Sequence, residues 1–268
     1  MFERIGLIGC GNMGTALLRA CGGRGKLYCS NRSPEKAEAF AAELGGTACD
    51  NATVACTCSL IFLGVKPQMM GQMLQELRPV FASRSDRFVL VSMAAALPCK
   101  AIQKMAGGDY PVIRIMPNTP VAVGAGVIQL CDRGCTEEER SAFCRLMEKA
   151  GMLDPIDEKL MDAAAAVSGC GPAFVCLVME ALADGGVAGG QPRDNARRYA
   201  AQNQIGTGEL ALASGEHPGL LKDRVCSPAG TTIQGVRSLE HHAVRGAFCE
   251  AVIAAYEKTL AMQGPKDQ

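Results

Sequence analysis

A short apolar run, Ile5-Gly6-Leu7-Ile8, passes directly into Gly9-Cys10-Gly11-Asn12-Met13-Gly14 and then into a helical pattern, Thr15 to Arg24. No other stretch of the chain restricts the fold as tightly. G-x-G-x-x-G between a strand and a helix is the fingerprint of a dinucleotide-binding turn. Gly9 allows the tight turn, Gly11 the close approach of a pyrophosphate, and Gly14 the packing of helix on strand. In a chain with 31 glycines the bare pattern would be weak; its place between an apolar strand and a helix gives it force.

The stretch that follows repeats the alternation of strand and helix. Leu27-Tyr28-Cys29-Ser30, Leu60 to Val65, Phe88 to Ser92, Val112 to Met116 and Val127 to Leu130 read as strands. Several are apolar at successive positions, as strands buried on both faces of a parallel sheet must be. Ser33 to Leu44, Gln68 to Leu77 and Thr136 to Ala150 read as helices, the last opened by a Thr136/Glu139 capping box. This pattern predicts an α/β doubly wound sheet of the Rossmann type over residues 1–157, with ligands beyond the carboxyl ends of its strands.

The end of the second strand bears on the nucleotide. NAD-binding turns usually carry an acidic residue there to bond the ribose 2′-hydroxyl. This chain has Asn31-Arg32-Ser33 before Pro34, a guanidinium and a helix-capping serine that suit a 2′-phosphate. NADPH is expected, with NADH as the alternative.

From about Lys159 the strand signals stop, so residues 158–268 are expected to form an all-α domain. Leu160 to Val167, Ala173 to Gly185, Asp194 to Ala213, Thr231 to Leu239 and Ala243 to Met262 follow helical periods, and the polar tail Gly264 to Gln268 is expected to fray. Ala173-Phe174-Val175-Cys176-Leu177-Val178-Met179 is apolar around its whole circumference, and such a helix must be buried on every side. A small helical domain has little room to enclose one. The expectation is therefore docking against a second copy, a homodimer open to assembly into a higher oligomer; a monomer with a central core helix is the competing reading.

Composition excludes other classes. Lys and Arg total 27 and Asp and Glu total 27, which leaves no electrostatic case for nucleic acid or an anionic membrane. No apolar run is read as long enough to span a bilayer, and the N-terminus lacks a signal peptide's apolar core. The 14 cysteines include no Cys-x-x-Cys, the closest pairs being Cys56/Cys58 and Cys131/Cys135. No metal site is expected; the cysteines read as reduced thiols in a cytoplasmic protein.

A second motif, Ser227-Pro228-Ala229-Gly230-Thr231-Thr232, runs into the helix of Ile233 to Leu239. A helix start presents unsatisfied N–H groups and the positive end of the peptide dipole, which together hold a small anion such as a carboxylate.

With these motifs in view the chain resembles the pyrroline-5-carboxylate reductase family over nearly its whole length. The resemblance rests on Gly9 to Gly14, Gly64-Val65-Lys66-Pro67-Gln68, Arg114 to Pro120, Ser168-Gly169-Cys170-Gly171-Pro172-Ala173, and His217 to Glu240. It implies an oxidoreductase of proline biosynthesis that transfers hydride to a cyclic imine, built from a Rossmann domain and a helical dimerisation domain. By resemblance Gly9, Cys10, Gly11, Asn12, Met13, Gly14, Ser33, Asn51, Val65, Lys66, Pro67, Met93, Ala94 and Ala95 contact the cofactor, joined by Asn31 and Arg32 from the reading above. Gly230, Thr231 and Thr232 hold the substrate and Ser227 shapes their loop. In this scheme the N–H groups of Gly230 and Thr231 take the carboxylate, and the Thr232 hydroxyl, the candidate catalytic group, donates to the imine nitrogen. A related imine or β-hydroxyacid oxidoreductase and a non-catalytic nucleotide-binding paralogue are the alternatives. The chain departs from the family pattern at Cys170, where serine is usual, and at Ala229 and Ala96, where glycine is usual. The two alanines are modest changes if their φ is negative.

Overall fold

The structure, a computed structural model, describes residues 2–22 and 25–262. Arg24, the expected end of the first helix, and the tail Gly264 to Gln268 lie outside them. Eight strands form one sheet: β1 (Arg4–Ile8), β2 (Lys26–Ser30), β3 (Thr47–Ala48), β4 (Leu60–Leu63), β5 (Val89–Ser92), β6 (Val112–Pro117), β7 (Gly126–Arg133) and β8 (Gly151–Pro155). Their order is β3-β2-β1-β4-β5-β6-β7-β8. The helices between them are α1 (Asn12–Ala20), α2 (Pro34–Leu44), α3 (Asn51–Thr57), α4 (Pro67–Ala82), α5 (Cys99–Ala106) and α6 (Glu137–Met147).

The strands are apolar at successive positions because helices cover both faces. Leu7, Phe62, Val91 and Ile113 pack with Leu17, Phe40 and Phe143 on one side. Ile8, Ile61, Leu63, Leu90 and Val112 pack with Met70, Leu74 and Ile102 on the other. The capping box on α6 forms as read: the Glu139 N–H donates to Thr136 Oγ1 at 3.2 Å, and the Thr136 N–H donates to the Glu139 carboxylate at 2.8 Å.

Two features of the sheet depart from expectation. β7 runs antiparallel to β6, because only the 3-10 turn Thr119–Val123 joins them and a parallel crossover needs about a dozen residues. β3, β8, α3 and α5 carry periods too short to stand out from their surroundings, and the sequence reading misses them.

The chain divides into two compact units, the second being Cys170–Ala255. The division falls after the boundary expected between residues 157 and 158. The reason is polar: Arg114 is 2% exposed, and its partner is Asp162 at 2.8 Å on α7 (Met161–Ser168). Asn118 Nδ2 donates to the Ser168 carbonyl at 3.0 Å, and Gln129 Nε2 donates to Ser168 Oγ at 2.7 Å. A buried guanidinium needs its carboxylate, so α7 stays with the sheet.

The second unit is helical: α8 (Gly171–Ala188), α9 (Arg193–Ser214), α10 (Pro218–Val225), α11 (Thr231–His241) and the greater part of α12 (Val244–Met262). α8 and α9 meet at Ala183, Ala196 and Ala200, small residues that let the two backbones approach. In α8 Ala183 is buried, while Leu177 and Leu182 are 64% and 50% exposed. The apolar helix is therefore not enclosed within one chain, and the reading of a monomer with a central core helix fails. The expectation that no apolar run approaches membrane length also fails. Glu158–Ala188 contains an 18-residue stretch that meets that test by length and composition, at a mean hydropathy of 1.7, although α7 and α8 meet within the segment at Gly169-Cys170.

Candidate functional site

β4 lies beside β1 on the side opposite β2, so the chain leaves the sheet centre in two directions. Beyond the carboxyl ends of these strands is a cleft of about 990 Å³, where a doubly wound sheet places its ligand. Gly9 has φ +98°, and a Cβ on it would stand 2.8 Å from the Gly64 carbonyl carbon. A Cβ on Gly14 would stand 2.9 Å from Leu7 Cδ1, in the helix–strand contact. On Gly11 a Cβ would find its nearest neighbour, the Gly64 oxygen, at 3.8 Å and would occupy the cleft. The three glycines thus play the three parts of a dinucleotide turn, and the residues fit that group.

Hydrogen bonds fix the rim. The Gly9 N–H donates to the Ser30 carbonyl at 2.8 Å. The Cys10 N–H donates to Asn31 Oδ1 at 3.1 Å, and Asn31 Nδ2 donates to the Ser33 carbonyl at 3.0 Å. Ser30 Oγ donates to Asn51 Oδ1 at 2.7 Å. Asn31 therefore ties the turn after β1 to the turn after β2, a positioning duty that its place in the sequence does not announce. Ser33 precedes α2 without a side-chain capping bond. Lys36, which the sequence reading missed, joins Arg32 and Ser33 in the wall, and neither cation is in an ion pair among the described residues. Lys36 was legible in principle, since the first turn of a helix faces what the N-terminus faces. The neighbouring Cys29 thiol outweighs burial and holds the Cys10 thiol below its ordinary value; Cys29 is raised in return.

Of the expected cofactor residues, Gly9, Cys10, Gly11, Asn31, Arg32, Ser33, Asn51, Val65 and Lys66 line the cleft. Asn12, Met13 and Gly14 form the first turn of α1, and Pro67 opens α4. Met93, Ala94 and Ala95 follow β5 and do not line the cleft; Ala94 is 1% exposed in the core.

The expected substrate residues belong to the second unit. The Gly230 N–H donates to the Ser227 carbonyl at 3.1 Å and closes the turn before α11. A Cβ on Gly230 would collide with Ser227 Oγ. α11 starts without a side-chain cap, and Thr231 and Thr232 are exposed. Ala229 has φ +59° and Ala96 has φ +63°, so the condition of negative φ is not met. Both alanines occupy left-handed backbone that favours glycine.

The chain is 38% identical over 266 residues to pyrroline-5-carboxylate reductase of Escherichia coli K12, covering 97% of this chain and 98% of that protein. It belongs to the pyrroline-5-carboxylate reductase family. The Pisum sativum enzyme of the same name is 37% identical, covering 95% and 94%. The crystal structure of Plasmodium falciparum pyrroline carboxylate reductase with NADP bound superposes with a TM-score of 0.86 at 30% identity, covering 98% of each chain. Residues 4–96 match the family NADP oxidoreductase, coenzyme F420-dependent, and residues 158–262 match the family pyrroline-5-carboxylate reductase dimerisation. The family membership agrees with the Rossmann-type sheet followed by helices. It also gives a meaning to the exposed apolar face of α8, which falls within the dimerisation segment.

Proposed function

We propose that this chain reduces pyrroline-5-carboxylate to L-proline with NADPH, the last step of proline biosynthesis, as a cytoplasmic homodimer. The observation that carries the reading is the glycine turn with Arg32, Ser33 and Lys36 at the rim of its cleft, in a chain of this family. Bound NADPH supplies the hydride. Gly9, Cys10, Gly11, Asn12, Met13 and Gly14 hold its pyrophosphate at the start of α1, and Arg32, Ser33 and Lys36 hold its 2′-phosphate. Asn31, Asn51, Val65, Lys66 and Pro67 complete its surroundings.

The substrate is a cyclic imine bearing a carboxylate, so the protein must bind an anion and place a donor at nitrogen. The Thr231 N–H at the start of α11 takes the carboxylate, while the Gly230 N–H is committed to the Ser227 carbonyl and fixes the turn. The Thr232 hydroxyl donates to the imine nitrogen and orients it, since a threonine hydroxyl does not titrate near neutrality. In this reading the two functional domains are residues 1–157, which carry the nucleotide turn, and residues 158–268, which carry the substrate turn. The exposed apolar residues of α8 and α9 support the homodimer. No part of the reading calls on nucleic acid or a membrane.

The test is NADPH oxidation with pyrroline-5-carboxylate, set against NADH and against pyrroline without the carboxylate. Turnover that requires the carboxylate is expected; nucleotide binding with no turnover on either imine refutes the assignment. Thr232→Val is expected to lower kcat by about tenfold to a hundredfold with folding intact. Turnover equal to that of the unchanged protein would remove Thr232 from the reaction.

A further inference from the structure

Away from the nucleotide cleft, three groups from separate elements converge. Cys99 is the first residue of α5, Cys131 lies in β7, and Glu158 opens the 3-10 turn Glu158–Leu160. Their sulfurs and a carboxylate oxygen all lie within 4.8 Å of one another. Cys99 is 1% exposed, and the other two are half-buried, which leaves an approach from solvent. The carboxylate is held in place, because the Cys99 N–H donates to Glu158 Oε1 at 2.7 Å.

Arg114 stands beside this cluster. It is the register partner of Cys131 across β6 and β7, so the two side chains leave the same face of the sheet. Its Nη2 meets Asp162 at 2.8 Å and its Nη1 is 3.6 Å from Glu158. Its buried Nε has no hydrogen-bond acceptor among the described residues. The neighbouring Cys99 thiol, against burial and with help from Arg114, holds the Cys131 thiol below its ordinary value. Cys99 is raised correspondingly.

We propose that Cys99, Cys131 and Glu158 bind one thiophilic divalent cation of the zinc class. Two thiolates and a carboxylate supply three of the four positions of a tetrahedral zinc site and leave the fourth to water. Thiolate ligands select such a cation over magnesium or calcium. The exchange conserves charge: two thiol protons leave as one divalent cation enters, so the cluster beside buried Arg114 carries the same net charge before and after. Bound metal would fasten the first turn of α5 to β7 and Glu158, just beyond the loop that carries Met93 to Ala95.

The experiment titrates the reduced, chelator-treated full-length protein with cadmium, read by thiolate-to-metal charge-transfer absorbance, and with zinc, read by calorimetry. One equivalent is expected, lost in the Cys99→Ser/Cys131→Ser double variant. Glu158→Gln is expected to bind about tenfold more weakly. Cys56→Ser, which alters an exposed thiol on α3, is expected to bind as the unchanged protein does. Far-UV circular dichroism follows each fold; if the double variant fails to fold, Glu158→Gln and Cys131→Ala decide the question. Three results would overturn the proposal. They are an absence of binding with all thiols free, a charge-transfer equivalent that survives in the double variant, and a Cys99–Cys131 disulfide in the isolated protein with no metal uptake after reduction.

Discussion

Arg32 and the left-handed Ala96 and Ala229 show how much one side chain decides here. Arg32 and Lys36 stand at the cleft without ion pairs among the described residues, so their charge is available to a ligand phosphate. Loss of a charge-assisted hydrogen bond costs about 1.5–3 kcal/mol. Arg32→Ala should therefore raise KM for NADPH about tenfold or more while leaving KM for NADH nearly unchanged. Equal rises for both nucleotides would place Arg32 outside 2′-phosphate recognition. Ala96 and Ala229 each hold a backbone that costs an L-residue roughly 1–2 kcal/mol. Part of that is offset by the entropy glycine loses on folding. Ala229→Gly and Ala96→Gly are each expected to stabilise the protein by about 0.5–1 kcal/mol in urea unfolding, and a loss of stability would show that the loops are not strained.

Elements are held by their ends and by a few buried polar contacts. α6 begins with a complete capping box, so Thr136→Ala should cost about 1 kcal/mol in the same unfolding measurement. The attachment of α7 to the sheet depends on a buried charge. Asp162→Ala leaves the Arg114 guanidinium without its closest carboxylate and is expected to cost about 3–5 kcal/mol. A cost below about 1 kcal/mol would mean that apolar contacts rather than this pair hold α7. The capping box was legible because both its residues lie within four positions of sequence. The Arg114–Asp162 pair was not, because its partners lie 48 residues apart and meet only when β6 is covered.

For the molecule as a whole, assembly and pH response follow from what one chain leaves exposed and what it buries. Leu177 and Leu212 are 64% and 81% exposed; Leu177→Asp with Leu212→Asp should convert a dimer to monomers in sedimentation, and an unchanged mass would place the interface elsewhere. Several carboxyls are held below their ordinary values in the folded chain. Burial pushes Glu139 up, but the Arg87 guanidinium and the Thr136 N–H hold it below 4.5, and the Thr53 N–H holds Asp50 below 3.8. Their contribution is complete above those values and is lost as pH falls through the lower folded ones. Buried thiols act at the other end: burial pushes Cys58 and Cys135 up to about 12 from an ordinary 9.0. Above pH 9 the unfolded chain loses these protons first, so stability falls. Tm should be level between about pH 5 and pH 9 and decline on both sides, less steeply on the alkaline side in Cys58→Ala.

The sequence by itself determined the parts whose cause is local. A glycine turn, a capped helix and strands apolar at successive positions follow from neighbouring residues, and with them came the sheet, the nucleotide turn and the helical second half. An α8 apolar on every side also told that one chain would not bury it. Tertiary structure decided what distance in sequence concealed. It turned β7 antiparallel through a short connection, drew α7 onto the sheet through Arg114, and brought Lys36 to the cleft beside Arg32. It also put Ala229 and Ala96 at positive φ, which a residue's name cannot reveal. Cys99, Cys131 and Glu158 show the same division: no spacing in the chain announces them, because side chains become neighbours through packing rather than through order along the backbone.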